Sequence, residues 1–326
     1  MMVDWVTAKI PVCHSEPIFG GKVVSYDKEG QKEFETYKHL PVEGSYSSKV
    51  SLRTLDSSTI QFSGNPVKFL QGHNLFGSTD IVALMTSTLE IVFGKLDITP
   101  SEQDWQVIRS GNYTISRVDL TAMYELRTLA DVLAWIRAAA ISSRSRHKSA
   151  GLQRGDTIYW GKHSRRWTLK AYAKGQEILV PAHTLSPLLP YCEKLISWAQ
   201  NKLRIELTLR GAELRKEGIY TAAAFSNASA LEIFQKYLGK ITLSDNFNLT
   251  TETLDGLPNS LRCTYVLWER GEDLRSKLSK NTYYRHRREL MAWGVDIAIK
   301  PTTATEREVS LRHALEARVI QCPNFI

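Results

Sequence analysis

The sequence contains few cysteines, and those it has lie far apart. No two of them form a CxxC pair; they are Cys13, Cys192, Cys263 and Cys322. Zinc ribbons and disulfide frameworks require closely spaced or paired cysteines, so neither kind of site is indicated. We therefore expect the thiols to be reduced, as they are in a cytosolic protein.

Long apolar runs, repeats and low-complexity tracts are also missing. No window approaches the roughly eighteen consecutive apolar residues of a membrane span, and the opening MMVDWVTAKIPV lacks the basic and apolar regions of a secretory signal. The 326 residues are 43% hydrophobic and 23% charged, enough to bury one large core or two smaller ones. These properties predict a globular protein with no membrane partner.

The net charge of +8 is concentrated in one stretch, residues 144–174. Against the single acid Asp156, this stretch carries Arg144, Arg146, Lys148, Arg154, Lys162, Arg165, Arg166, Lys170 and Lys174. Its interleaved aromatic residues are Tyr159, Trp160, Trp167 and Tyr172. Cations along phosphates and ring faces for unstacked bases are what single-stranded DNA requires. A solvated basic loop is the alternative interpretation.

Three segments alternate apolar and polar residues with the period of a β-strand: ISRVDLT at 115–121, RWTLKAYAK at 166–174 and LRIELTLR at 203–210. Their polar faces carry Arg117, Asp119, Thr168, Lys170, Tyr172, Lys174, Arg204, Glu206, Thr208 and Arg210. If the strands pair in one sheet, a tyrosine, an acid pair and several cations share one face. That composition suits metal-assisted phosphodiester chemistry.

Helix signals lie between these strands. Thr79-Asp80 can cap a helix, Thr128 opens a second one, and Ser186-Pro187 begin a third that is expected to run to about residue 202. Together the elements predict an α+β domain built on an antiparallel sheet, which we place at residues 1–215.

Residues 216–326 are predicted to form a helical second domain. Helices are expected at 258–269, 272–279 and 282–293, followed by the strand-like VDIAI. This order favours a winged helix-turn-helix. Its recognition helix would present Tyr283, Tyr284, Arg285, Arg287 and Arg288. A plain surface helix of a bundle would show a similar alternation of Arg and Leu.

Tyr172 is the candidate nucleophile. A phenol is weakly acidic, so its attack on phosphorus requires nearby positive charge to stabilise the phenolate. Lys170 and Lys174 lie two residues to either side, on the same predicted strand face. The alternative is a tyrosine that serves only in packing.

The candidate metal ligands are His73, Asp119 and Glu206, which would bind Mg²⁺ or Mn²⁺. His73 lies between Gly72 and Gly77, before a predicted helix. A lone histidine is commonly a structural hydrogen-bonding group, and the two acids could instead pair with Arg117 or Arg204.

Four blocks of the sequence resemble, in the same order, the replication initiators of filamentous phages and related plasmids, the gene II/gene X type. They are LQGHNLFGSTD, TISRVDLT, TIYWGKHSRRWTLKAYAKGQEI and NTYYRHRRELMAWGVDI. The likeness covers most of the chain, from VDWVTAKIP onward. It implies a divergent nickase domain of the HUH-like kind, followed by the winged helix-turn-helix-like domain.

The resemblance also implies a reaction, because Tyr172 stands at the tyrosine of the family's TL-x-AY-x-K block. Such an enzyme nicks one strand of a supercoiled origin, keeps the 5′ end as a phosphotyrosine, leaves a 3′ hydroxyl as primer and later closes the circle. Wider tyrosine nickases carry two histidines in an HxH motif, which this chain lacks. We therefore predict His73, Asp119 and Glu206 as a divergent replacement ligand set.

The expected partners are double-stranded origin DNA, single-stranded DNA and the replicative helicase and polymerase of a bacterial host, in the host cytoplasm. The residues expected to contact DNA are Asn74, Arg117, Arg144, Arg146, Lys162, Arg165, Arg166, Tyr283, Tyr284, Arg285, Arg287 and Arg288. The competing function is a non-enzymatic DNA-binding protein, such as a phage repressor or partition factor. A tyrosine recombinase is disfavoured, because the required arginines and histidine around a C-terminal tyrosine are missing.

Overall fold

The structure, a computed structural model, describes residues 1–142, 157–226, 228–242 and 256–292. It also describes short pieces at 144–145, 148–149 and 151–153 and the positions 254, 295, 297–298 and 315. Among the described residues, no helix has both the length and the apolar character needed to cross a membrane.

The strands, in chain order, are β1 (Met2–Pro11), β2 (Lys22–Tyr26), β3 (Lys32–Tyr37), β4 (Leu40–Glu43), β5 (Lys49–Asp56), β6 (Thr59–Gly64), β7 (Thr114–Glu125), β8 (Arg144–Ser145), β9 (Lys148–Ser149), β10 (Gly151–Gln153), β11 (Thr157–Trp160), β12 (Trp167–Ala173), β13 (Lys202–Arg210) and β14 (Ile241–Thr242). Nine of them form one sheet in the order β10-β11-β12-β13-β7-β1-β6-β5-β4. Each neighbouring pair in this sheet is antiparallel. The pair β2-β3 forms a separate ribbon, and β14-β8-β9 form a small third sheet.

The helices are α1 (Pro66–Gln71), α2 (Ile81–Lys95), α3 (Glu102–Ser110), α4 (Leu129–Ser142), α5 (Lys174–Glu177), α6 (Cys192–Ala199), α7 (Gly211–Lys216), α8 (Ala222–Ser226), α9 (Ala230–Leu238), α10 (Asn259–Glu269), α11 (Leu274–Lys277) and α12 (Lys280–Ala292). A short 3-10 turn covers Ser45–Ser47. The α+β class and the antiparallel sheet are thus confirmed.

The two long helices between the strands begin where the sequence predicts. The Asp80 carboxylate accepts the backbone N–H of Ala83 at the start of α2, and the Thr128 hydroxyl accepts that of Asp131 at the start of α4. Each cap satisfies a backbone donor that has no partner inside the helix. Their apolar sides then pack on one face of the sheet.

The third predicted helix begins later than expected. Residues 186–191 form turns, and α6 starts only at Cys192. Pro190 disfavours helical backbone at the residue before it, and Tyr191 adopts a left-handed φ of 56° at the helix N-cap. The prediction that this helix begins at Ser186-Pro187 is therefore wrong, because Pro190 interrupts the helical backbone before Cys192.

The three alternating segments are adjacent strands, as predicted, but the second strand ends at Ala173. Lys174, predicted to lie on its polar face, instead begins α5. β12 pairs with β13, which pairs with β7. Their apolar face, with residues such as Leu120, Leu169 and Leu207, belongs to a large hydrophobic core that also contains side chains of α2, α4 and α9. The polar residues of all three strands consequently lie together on the opposite face.

The first core extends past residue 215, where the sequence predicts the domain boundary. Phe225, Phe234, Tyr237 and Ile241 are all buried in it. A separate core lies in the C-terminal helices and includes Leu261, Tyr265, Leu274, Tyr283 and Leu290. The three predicted C-terminal helices are present as α10, α11 and α12. Of the predicted VDIAI strand, the described residues Val295, Ile297 and Ala298 are not in a strand, and Ile297 and Ala298 lie in a turn. The strand is therefore not confirmed, and the winged helix-turn-helix stays a prediction.

Candidate active site

The Tyr172 hydroxyl donates a short hydrogen bond to Oε1 of Glu206. The register of β12 and β13 explains this contact. Tyr172 lies opposite Arg204 and Lys170 lies opposite Glu206, so Tyr172 and Glu206 are diagonal neighbours on one face of the sheet. Lys170 Nζ is 3.2 Å from the second oxygen of Glu206 and 4.1 Å from the centre of the Tyr172 ring. Three residues singled out from the sequence therefore form one cluster.

Tyr172 is buried, with 3% of its surface exposed. Its hydroxyl nevertheless lies among charged groups. Burial raises the pKa of Tyr172 well above its ordinary value, and the positive charge of Arg204 offsets this only in part. The resting side chain is therefore a neutral phenol that needs a base to become a nucleophile.

Glu206 is the base within reach. Burial alone would raise the pKa of its carboxyl, but the charges of Lys170 and Arg204 and the hydrogen bond from Tyr172 outweigh burial and lower it. Glu206 is consequently ionised and can accept a proton. Its basicity is weak as long as both cations remain close to it.

Arg204 is fully buried at the centre of the cluster. Its Nη2 lies 3.0 Å from Oδ1 of Asp4, and its Nη1 donates to the main-chain oxygen of Asn74 at 2.6 Å. Its Nε lies 3.4 Å from Glu206 Oε1 but makes no hydrogen bond. One buried N–H of the guanidinium therefore has unused donor capacity beside the candidate base.

Asp4 connects the cluster to the neighbouring loop, and sequence reasoning missed it. It occupies a bulge in β1, between the paired residues Val3 and Trp5. Its Oδ1 accepts hydrogen bonds from the side-chain amides of Asn65 at 2.6 Å and Asn74 at 2.9 Å, in addition to pairing with Arg204. The available signal was the broken alternation of MVDWVTAKI, in which Val3 and Val6 are both apolar across an odd spacing.

Asn74 and Lys174 close the other side of the cluster. Lys174 Nζ donates to Asn74 Oδ1 at 3.1 Å and to Glu177 Oε2 at 2.6 Å. Burial, followed by the charge of Arg204, lowers the pKa of Lys174 to about 8. Both polar ends of the Asn74 amide are occupied inside the protein, so its observed role is to link Asp4 with Lys174. The DNA contact predicted for Asn74 stays untested.

His73 is buried beside the cluster. The amide of Gln71 donates to His73 Nδ1 at 3.1 Å, and the imidazole packs edge-on against Phe76 with ring centres 4.6 Å apart. Burial and the charge of Lys174 lower the pKa of His73 to about 4. The imidazole is therefore neutral at physiological pH.

Asp119 is held by Arg117, as the ion-pair alternative anticipates. Arg117 Nε donates to Oδ1 at 2.8 Å and Nη2 donates to Oδ2 at 2.5 Å, so the pair is bidentate. Burial raises the pKa of Asp119, and the hydrogen bonds from Arg117 counter that increase only in part. Both carboxylate oxygens already accept donors.

The predicted ligands His73, Asp119 and Glu206 do not gather as a metal site. Within the described parts of the chain, no group of three or more His, Cys, Asp or Glu residues is arranged to hold an ion. In this arrangement the oxygens of both acids are paired with cations, and His73 Nδ1 accepts from Gln71. The residues do not fit a bound divalent ion in this conformation, and the Mg²⁺ or Mn²⁺ requirement stays a prediction.

The cations near the sheet that are predicted to contact DNA differ in their exposure and in their ion pairs. Lys162, Arg165 and Arg166 are exposed in the turn between β11 and β12. Arg166 Nε pairs with the buried Glu213 at 2.6 Å. Arg144 lies in β8, but its side chain, like the whole of Arg146, lies outside the described residues.

The predicted recognition helix, α12, exposes only some of its candidates. Tyr284, Arg285 and Arg288 are exposed and Arg287 is half-buried. Tyr283 instead packs in the C-terminal core with 4% of its surface exposed. The prediction of Tyr283 as a surface DNA contact is therefore corrected: its ring is required for packing.

Comparison with known proteins decides the family. Residues 2–228 match the N-terminal family, and residues 249–326 the C-terminal family, of the phage replication-associated protein of gene II type. The chain belongs to this gene II family. The replication-associated protein of the same type from Enterobacteria phage I2-2 is 37% identical over 332 residues, which cover 99% of this chain and 96% of that protein. The resemblance to gene II/gene X type replication initiators is confirmed.

We expect the Asp4 carboxylate to supply most of the negative charge that compensates the buried Arg204 guanidinium. Replacing Asp4 with Ala should lower the free energy of unfolding by about 3 kcal/mol, because breaking a buried pair leaves one charge without a partner. Chemical denaturation measures the change. Glu102→Ala, which breaks the exposed Arg109–Glu102 pair, is the matched control and should have little effect. Equal effects of the two substitutions would show that Arg204 does not depend on Asp4.

Proposed function

We propose that the protein is a rolling-circle replication initiator that nicks one strand of an origin and links the 5′ phosphate to Tyr172. Membership of the gene II family supports the replication role. The observation that supports the nucleophile is the hydrogen bond from the Tyr172 hydroxyl to Glu206, with Lys170 and Arg204 beside it. A nucleophile, a base and two cations are the parts that a phosphoryl transfer to tyrosine requires.

In the proposed step, the phosphoryl group is transferred from the 3′ oxygen of the DNA to the Tyr172 oxygen. The Tyr172 oxygen attacks phosphorus, the P–O3′ bond breaks, and the phenol proton passes to Glu206. The departing 3′ oxygen takes a proton from the Lys170 ammonium, which Glu206 then restores across their 3.2 Å contact. The net change is a 5′-phosphotyrosine and a free 3′ hydroxyl, and the reverse sequence closes the displaced strand.

Substrate charge would activate this site. At rest, Lys170 and Arg204 hold the pKa of Glu206 down. A phosphate that enters between them shares their positive charge and adds a negative charge of its own, and both effects raise the pKa of Glu206. The carboxylate thus becomes a stronger base when DNA is bound, and the unused Nε–H of Arg204 can then donate to a phosphate oxygen.

We further propose that nicking requires Mg²⁺ or Mn²⁺. The predicted ligands His73, Asp119 and Glu206 could hold the ion only if the two acids were released from the cations with which they pair. A bound ion would polarise the scissile phosphate. Because the described arrangement pairs these acids with Arg117 and Lys170, the step above does not pass through the metal.

The partners in this proposal are duplex origin DNA, the single strand that nicking releases, and the replicative helicase and polymerase of the bacterial host, in its cytoplasm. The C-terminal unit would bind duplex DNA through the exposed Arg285 and Arg288 of α12. This division of roles separates recognition of the origin from the chemistry at Tyr172.

Tyr172→Phe should leave origin binding intact and abolish both nicking and the covalent adduct, because the attacking oxygen is gone. The measurement is conversion of supercoiled origin plasmid to open circles, with the adduct located by peptide mass, first with Mg²⁺ and then with a chelator. Tyr159→Phe, on the neighbouring strand, is the matched control. An adduct on the Tyr172→Phe protein would overturn the assignment, and binding without scission by wild-type protein under every metal condition would favour a repressor.

Glu206→Gln should reduce the nicking rate by about 100-fold or more, because the phenol loses its general base. Single-turnover cleavage of a single-stranded oligonucleotide measures the rate. Glu213→Gln, in an acid cluster linked to β12 through Arg166, controls for general effects of losing a buried carboxylate. A Glu206→Gln rate within a few-fold of wild type would exclude this carboxylate as the base.

Arg285→Ala and Arg288→Ala should weaken binding to the duplex origin and spare cleavage of a short single strand. Each lost phosphate contact should lower the salt dependence of binding by about one unit of slope. Lys277→Ala, an exposed cation on α11 that pairs with Glu272, is the control. Equal losses of single-strand cleavage and origin binding would contradict the proposed division.

A further inference from the structure

The polar face of the sheet continues beyond the tyrosine onto strands that the proposed chemistry does not use. Along β1, β6 and β5, buried residues alternate with half-buried or exposed ones. The solvent-facing positions are Trp5, Thr7, Lys9, Gln61, Ser63, Ser51 and Arg53. An antiparallel sheet with one face on the core and the other in water produces this pattern.

This open part of the face is basic. Lys9 is exposed on β1, and Arg53 is half-buried on β5, where its Nε donates to Gln61 at 2.7 Å. Arg117 and Arg210 lie opposite each other on β7 and β13. The Arg117 side chain stays 41% exposed although it holds Asp119. The face therefore presents cations from β13 across to β5, in the direction that leads away from Tyr172.

Trp5 is the large aromatic side chain on this path, and its neighbours hold it in place. Its indole N–H donates to the Thr7 hydroxyl at 3.2 Å, and the Arg117 guanidinium carbon lies 5.5 Å from the ring centre. A ring whose edge and neighbouring cation are fixed loses little conformational freedom when another flat group stacks on it. Trp5 is thus preorganised for stacking.

The register places Trp5 at a defined distance from the nucleophile. It lies opposite Asp119, which lies opposite Thr208, which lies opposite Thr168, four residues before Tyr172 on β12. β1 is three strands from β12, roughly 14 Å at about 4.8 Å per strand, and the four residues along β12 add roughly 13 Å at right angles to this. The distance from Trp5 to Tyr172 is therefore roughly 20 Å. A DNA strand covers that distance in about six nucleotides at the stacked spacing of ~3.4 Å, and in fewer when it is extended.

We propose that Trp5 stacks on an unpaired base of the strand whose phosphate reaches Tyr172, while Lys9, Arg53 and Arg117 follow that strand's phosphates. This subsite rests on the proposed nicking function and extends it to recognition of the unwound single strand. A ring face can receive a base only after the base leaves its duplex stack, so the occupant is single-stranded. A duplex would meet the same cations but not the indole.

The first test measures binding without chemistry, in the Tyr172→Phe background. Trp5→Ala should weaken binding of a single-stranded origin oligonucleotide by about 5- to 150-fold, and Trp5→Phe, which keeps a ring, should stay within about 3-fold. Fluorescence anisotropy measures both affinities, and thermal unfolding confirms that the variants are folded. Trp105→Ala is the matched control, because Trp105 on α3 is also half-buried with an arginine, Arg109, 5.3 Å from its ring centre.

The second test locates the stacked base. Abasic nucleotides are placed one at a time on either side of the nick site. We expect one abasic position within about six nucleotides of that site to weaken binding to the protein that retains Trp5 and to have no effect on the Trp5→Ala protein. An abasic penalty that is equal in both proteins, or a loss no larger for Trp5→Ala than for Trp105→Ala, would overturn the subsite.

A failure of the subsite is distinguishable from a failure of the nicking proposal. Adduct formation by the protein with Tyr172 intact reports on the nucleophile alone. Loss of single-strand affinity in Trp5→Ala together with an unchanged adduct residue supports the subsite. Equal loss of affinity for a blunt duplex and for the single strand would show that Trp5 does not read unpaired bases.

Discussion

The arrangement around Tyr172 depends on one constraint: a fully buried guanidinium must be matched by negative charge and by hydrogen-bond acceptors. Arg204 has no exposed surface, and it meets Asp4, Glu206 and the main-chain oxygen of Asn74. Desolvating an arginine costs several kcal/mol unless such partners are present. Arg204 therefore contacts three separate parts of the chain. These are the bulge in β1, the loop that carries Asn74, and Glu206 of β13.

The same constraint gives the phenol its setting. Glu206, which helps to compensate Arg204, also accepts the hydrogen bond from the Tyr172 hydroxyl. Lys170, which pairs with Glu206, lies over the Tyr172 ring. Each acid is compensated by a cation, and of these cations Lys170 keeps part of its side chain exposed. The site at rest is a closed set of ion pairs, and an incoming phosphate would compete for the cations. Substrate binding and activation of the base are then one electrostatic event.

Sequence reasoning found much of this because strand periodicity is a local property. Apolar alternation placed Lys170, Tyr172 and Glu206 on polar faces, and the three strands do pair side by side. It failed where a contact joins residues far apart in the chain. Asp4 and Arg204 are separated by 200 residues. A second failure is of another kind: Arg117 and Asp119 are only two residues apart, but the sequence left metal binding and an ion pair equally open for Asp119 until the side chains were placed. Tyr283 likewise carried a surface pattern but fills a core.

The sequence by itself determined the fold class, the caps of the long helices, the polar faces of the central strands and the family. Each of these depends on neighbouring residues or on ordered motifs, which are present in the linear chain. Only the tertiary structure decided which charges compensate each other, that the acids pair with cations, and that Trp5 continues the face that contains Tyr172. Those outcomes depend on strand order and register, which bring distant residues within a few ångströms and which no local pattern encodes.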